Sequence, residues 1–174
     1  MRKAISIVIL MSCFVGNAFA EGKEGLAKYQ LKVDRLGPVS VGITPSEAHT
    51  RLGMRIEPET PGNEDEGCYY VSPIGYTEDI RFMVEDGHIT RIDIISRKIA
   101  SSGGIRAGDT ERAVKKAFSG IVKEEPHPYL EEDGKYLIVE TKPGYGFIFE
   151  TMQGKITTFR SGRLSSVRYI EGCL

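Results

Sequence analysis

Hydrophobic and polar positions alternate along Ile80-Arg81-Phe82-Met83-Val84, with Ile80, Phe82 and Val84 on one side. A period of two predicts a half-buried strand. Asp86-Gly87 then signals a hairpin turn, and His88 to Ile95 continues with Ile92 and Ile94 opposite Arg91 and Asp93. The same skeleton returns later in the chain. Phe82, Gly87, His88, Ile89 and Thr90 reappear in order as Phe149, Gly154, Lys155, Ile156 and Thr157, at a constant offset of 67 residues. Tyr145, Phe147 and Phe149 share one side of this second hairpin. A recurrence of this kind predicts a duplicated structural unit.

Each hairpin lies downstream of a short helical signal. Thr44-Pro45-Ser46-Glu47 offers a capping hydroxyl, a proline suited to the first helical position and a glutamate able to reach back as a capping box. Gly53 suits the stop after Leu52. Asp109 or a neighbour opens the second helix, Val114, Ala117 and Phe118 share a face, and Gly120 follows. Further strands are expected at Leu36 to Ile43, Cys68 to Val71, Tyr136 to Thr141, Lys155 to Arg160 and Leu164 to Ile170. Met54 to Gly67 and Glu124 to Gly134 read as polar loops. The expected fold is α+β, with two tandem repeats of a helix plus an antiparallel sheet. The units span residues 36–103 and 104–174, preceded by a flexible arm at 21–35.

Residues 1–20 read as a signal peptide. Arg2 and Lys3 precede an apolar run from Ala4 to Val15, and Ala18-Phe19-Ala20 is an A-x-A cleavage site. The run is too short to span a bilayer. A competing reading takes Leu10-Met11-Ser12-Cys13 as a lipoprotein signal. Cleavage near Ala20 makes the protein periplasmic or secreted, leaves 154 residues and removes two cations and no acid, so the net charge becomes −3. That balance gives no electrostatic footprint for nucleic acid and none for a membrane surface. Only Cys68 and Cys173 remain after cleavage. In an oxidising compartment they are expected to form a disulfide. The closed loop of about 100 residues stabilises by roughly 4–5 kcal/mol in the chain-entropy model. Reactive thiols are the alternative, without a C-x-x-C to support them.

The segment Gly42-Ile43-Thr44-Pro45-Ser46-Glu47-Ala48, followed by Leu52-Gly53, resembles the helix opening of the β-lactamase inhibitory protein fold. It also looks like the related unit of the small outer-membrane assembly lipoproteins. With its Glu171-Gly172-Cys173 ending, the chain is similar to a group of uncharacterised exported bacterial proteins. The resemblance implies an exported protein with a disulfide, a protein-binding sheet surface and no enzyme activity.

Candidate chemistry is sparse. His49, His88 and His127 lack metal-ligand spacing, and no G-x-S-x-G or phosphate-binding loop occurs. Glu64-Asp65-Glu66, near Glu57 and Glu59, lacks the alternating oxygen spacing of a calcium loop. No metal or other cofactor is expected. The tyrosines are the candidate contacts. Tyr69 and Tyr70 are adjacent on a strand and must face opposite ways. Tyr76, Tyr129 and Tyr145 sit near turns or loops. Exposed tyrosine combines contact area with a hydrogen-bonding tip. The expected function is a non-catalytic module of the bacterial envelope that binds another envelope or extracellular protein, as a hydrolase inhibitor or an assembly scaffold. A carbohydrate or small-ligand binder and a small hydrolase are the alternatives.

Overall fold

The computed structural model describes residues 22–62 and 67–173. The signal segment 1–20, Cys13 and Glu64-Asp65-Glu66 lie outside the described residues. The fold is mostly β, with a few short helices and two sheets. The helices are α1 (Gly22–Ala27), α2 (Pro45–Leu52), α3 (Glu111–Ala117) and α4 (Leu164–Val167). A four-stranded mixed sheet comprises β1 (Gln30–Lys32), β2 (Arg35–Leu36), β3 (Val39–Ser40) and β8 (Ala100–Ser101) in the order β3-β2-β1-β8. An eight-stranded antiparallel sheet holds the rest. Its first half is β4 (Ile56–Pro58), β5 (Cys68–Pro73), β6 (Ile80–Glu85) and β7 (His88–Ile94). Its second half is β9 (Val122–His127), β10 (Glu131–Lys142), β11 (Tyr145–Met152) and β12 (Lys155–Arg163).

The strand order is β4-β5-β6-β7-β12-β11-β10-β9. Each half is thus a meander that comes after a short helix, and the halves join where β7 pairs with β12. Asp93 is the Cα partner of Arg160 in that seam. The 67-residue offset that carries Phe82 onto Phe149 also carries Asp93 onto Arg160, so equivalent positions face each other there.

Local chemistry accounts for α2. The Glu47 amide donates to Thr44 Oγ1 at 3.2 Å, the Thr44 amide donates to the Glu47 carboxylate at 2.8 Å, and Gly53 closes the helix in the left-handed region. Thr110, the neighbour of Asp109, caps α3. Both hairpin turns hold two residues at positive φ, Asp86-Gly87 and Gln153-Gly154. This is the turn whose twist suits a two-residue hairpin.

Several expected elements differ. The segment 21–35, expected as a flexible arm, carries α1, β1 and the start of β2. Leu26 and Leu31 are buried and anchor it to the core. Leu36 to Ile43 is a hairpin of β2 and β3, because Gly37-Pro38 turns the chain. The polar stretch from Glu124 contains the edge strand β9, where Pro126 is tolerated because an edge strand has one unpaired side. Part of the other expected loop forms β4. Strand β12 runs through Ser161-Gly162, and Leu164 to Ile170 is α4 followed by a turn and a bend instead of a strand.

One face of the large sheet packs on α2, α3 and the small sheet. Phe82, Ile92, Phe147, Phe149 and Phe159 lie there with almost no exposure, together with Leu31, Leu36, Ala48 and Val114. Each buried phenylalanine contributes about 1.5–3 kcal/mol by removal of apolar area from water. The ring series Phe118, Phe147, Phe149 and Phe159 has successive centroids 5.6–5.9 Å apart.

Candidate functional site

The other face of the large sheet carries charge. Arg91 on β7 and Arg160 on β12 are only 5% and 3% exposed. They escape water because the chain after β12 folds back across them. Helix α4 and residues 168–173 form a strap, and its end is pinned by the Cys68–Cys173 disulfide, with 5.3 Å between the two Cα atoms. This bond is compatible with an exported protein. No helix among the described residues is long and apolar enough to cross a membrane.

The two arginines hold the strap by its backbone. Arg91 Nη1 donates to the carbonyls of Ser166 at 3.1 Å and Tyr169 at 2.9 Å. Arg160 Nε donates to the carbonyl of Val167 at 2.7 Å. These carbonyls belong to the last turn of α4 and the residues just after it, where a helix runs out of internal donors; of the three, Ser166 also accepts from the Tyr169 amide at 3.2 Å. Carboxylates balance the buried cations. Asp93 accepts from Arg91 Nε at 3.0 Å, and Glu150 pairs with Arg160. Burial works against the charge of Arg160, but Glu150 and Asp93 outweigh it and hold the guanidinium above its usual pKa. Its Nη2 has no hydrogen-bond partner among the described residues, and the group lies over the Tyr136 ring at 5.2 Å. Glu85 joins sheet to strap, accepting from Thr90 Oγ1 and Ser166 Oγ at 2.5 Å each. A small apolar cluster of Tyr136, Ile138, Ile148, Val167 and Leu164 lies beside this network.

The candidate tyrosines do not form one patch. Tyr69 packs toward the main core and Tyr70 lies on the charged face, as their adjacency requires. Tyr70 accepts from Arg91 Nη2 at 2.7 Å and stacks under Arg81 at 4.3 Å. Burial, then the nearby Asp93 carboxylate, raises the pKa of its phenol. Gly172 passes directly over Tyr70. A Cβ there would stand 2.2 Å from the phenolic oxygen, and the residue has φ +73°. Tyr76, expected near the surface, is a core residue at 4% exposure, because the turn after β5 folds its ring inward. Tyr145 is half-buried, with the Lys142 ammonium 4.5 Å from its ring. Tyr129 is 61% exposed, and its hydroxyl donates to Glu171 of the strap.

The strap borders a shallow groove of about 180 Å³, and Tyr129 follows Pro128 of its wall. Its apolar lining includes Pro126, Pro128, Ile138, Ile148 and Ile170, and the Arg168–Glu125 ion pair lies at its side. Tyr169 and Ile170, at 47% and 46% exposure, extend the apolar surface along the strap. Sequence reasoning misses these two residues as contacts because it reads Leu164 to Ile170 as a strand. The signal is present in Leu164, Val167 and Ile170, whose three-residue spacing is helical and not alternating.

His127 has a structural place. Its Nδ1 accepts the Tyr129 amide at 3.1 Å, which puts the proton of the neutral ring on Nε2, facing Glu150 at 3.8 Å. The ring meets the edge of Tyr136 at 4.8 Å. Glu57 pairs with Arg55, and Glu59 is held by Arg81 and Ser72.

No protein-family model matches the chain, and no curated protein matches it. A solved structure does. The chain is similar to the uncharacterized protein yfeY from Escherichia coli, with a TM-score of 0.51 and 13% identity, over 77% of this chain and 99% of that one. At that identity the likeness concerns the fold alone.

Proposed function

We propose that this protein is an exported, non-catalytic binding module of the bacterial envelope, with another envelope or extracellular protein as its partner. The observation that carries the reading is the strap. Its backbone is fixed by two buried arginines and a disulfide, yet Tyr169 and Ile170 point outward beside Tyr129 and an apolar groove. A rigid backbone that presents aromatic and aliphatic side chains loses little conformational entropy on association. Aromatic anchors next to a shallow pocket suit a protein partner. We read the two helix-plus-meander halves as a duplicated unit, supported by the Asp93–Arg160 pairing at equivalent positions. The likeness to the β-lactamase inhibitory protein fold belongs to the same reading, and hydrolase inhibition or assembly scaffolding are two forms the binding could take. The five candidate tyrosines reduce to Tyr129 as the contact, joined by Tyr169 and Ile170.

Cross-linked capture from periplasmic extract tests this, with the wild type and an I170E/Y129E variant run in parallel. Both side chains are exposed, and because Tyr129 also donates to Glu171 of the strap, circular dichroism and the unfolding midpoint check that the variant keeps the fold. The expected result is one specific protein captured by the wild type and lost with the variant. Equal capture by both, or saturable glycan binding without any protein partner, overturns the reading.

A further inference from the structure

The small sheet contains an arrangement that folding alone does not favour. Lys32 on β1 is the direct cross-strand partner of Arg35 on β2. Leu31 and Leu36, the adjacent pair, point into the core, so Lys32 and Arg35 both point to solvent on the same side. Like charges directly opposite each other destabilise a strand pair. Gln30 shares that side of β1, and Lys28 and Tyr29 stand at its end. Together with Gly37 these residues line an open concavity of about 350 Å³.

The floor is shaped by Gly37. The Tyr29 ring lies so close to it that a Cβ would come within 2.6 Å of the ring, and Gly37 has φ +55°. Lys28 Nζ stands 5.1 Å from the ring centroid. The cations are poorly compensated. Asp34 is shared between Arg35 Nε at 3.2 Å and Lys142 Nζ at 3.0 Å. Lys28 and Lys32 form no ion pair with any described residue. The local charge is strongly positive in a chain whose formal net charge is −1.

We propose that this concavity binds a phosphate ester. Cβ atoms of a directly opposed strand pair stand about 4.5–5.5 Å apart, which lets one ammonium and one guanidinium converge on a single tetrahedral oxyanion. Asp34 engages Arg35 through Nε, leaving the outer edge of the guanidinium for the ligand. Lys28 supplies a third cation, which suits a dianion better than a single carboxylate. Gln30 and the Tyr29 ring offer a hydrogen-bonding group and a flat edge to the organic part of the ester. A bound anion converts the Lys32–Arg35 repulsion into two favourable pairs. The ester can belong to a free sugar phosphate or to a lipid headgroup.

Calorimetric and NMR titrations of the purified protein separate these cases, using glucose 6-phosphate, glucose, and phosphatidylcholine vesicles with and without phosphatidic acid. Saturable binding of glucose 6-phosphate, with amide shifts at Lys28, Gln30, Lys32 and Arg35, assigns a soluble ligand. Binding restricted to the phosphatidic acid vesicles assigns a headgroup. In either case the K28Q/K32Q variant is expected to bind at least about tenfold more weakly, and wild-type binding to weaken with salt. Both substituted side chains are exposed, and removing the repulsion is expected to raise the melting temperature of the unliganded variant at low salt. The proposal is overturned by no response to either phosphorylated probe, by equal binding of glucose, or by a variant that binds like the wild type.

Discussion

The two faces of the eight-stranded sheet are built on opposite principles. The inner face is filled with phenylalanine, isoleucine and leucine that pack without polar partners. The outer face buries Arg91 and Arg160 and half-buries Tyr70, each satisfied mainly by groups delivered from the strap or from neighbouring strands. Apolar burial is non-directional and tolerates small shifts. A buried charge network is stable only while its partners are in place. The inner face therefore supports itself, whereas the outer face depends on a segment of chain held by a covalent bond.

Breaking the pin is the strongest way to separate the faces. C68S/C173S removes a constraint between residues 105 apart in sequence. The chain-entropy model places its loss at about 4–5 kcal/mol. Urea unfolding is expected to show that loss as a lower midpoint, accompanied by early loosening of the strap. The inner face gives the next largest effect. Phe149→Ala removes a fully buried ring and is expected to cost about 3–5 kcal/mol in the same measurement, with the folded state still cooperative. Arg91→Met tests the outer face without touching the sulfur bridge. It takes the guanidinium donor from the Tyr169 carbonyl and leaves the Ser166 carbonyl with the Tyr169 amide, an expected cost of about 1–3 kcal/mol. Hydrogen exchange should speed up in residues 164–172 and stay unchanged in β10 and β11.

The smallest effect concerns a surface carboxylate. Burial raises the pKa of Asp34, but hydrogen bonds from Lys142 and Arg35 overcome this and hold it below its ordinary value. A depressed carboxylate contributes stability that is present above its unfolded pKa and lost as pH falls through the folded one. Unfolding midpoints of the wild type should decline through that acid range, and Asp34→Asn should flatten part of the decline by sitting slightly below the wild type at neutral pH and converging with it in acid.

The inner face is legible from sequence because its signals are local. Alternation places Ile80, Phe82, Val84, Phe147 and Phe149 on one side. The capping box of Thr44 and Glu47 marks α2, and the glycines after Asp86 and Gln153 mark both hairpins. The disulfide follows from having two cysteines outside the signal segment. The outer face is not legible, because Arg91 and Asp93 alternate with Ile92 and Ile94 as they would on a solvated strand. Only the return of a distant segment buries them. The N-terminal strands are equally hidden, since β1 is three residues long and presents two polar side chains around Leu31. Gly172 gains a reason only with Tyr70 beneath it.

The most direct test of the central claim is hydrogen exchange before and after selective reduction of Cys68–Cys173. Amides of residues 164–172 are expected to lose protection while β6, β7, β11 and β12 keep theirs. Loss of protection throughout the sheet, or no change in the strap, would contradict the claim.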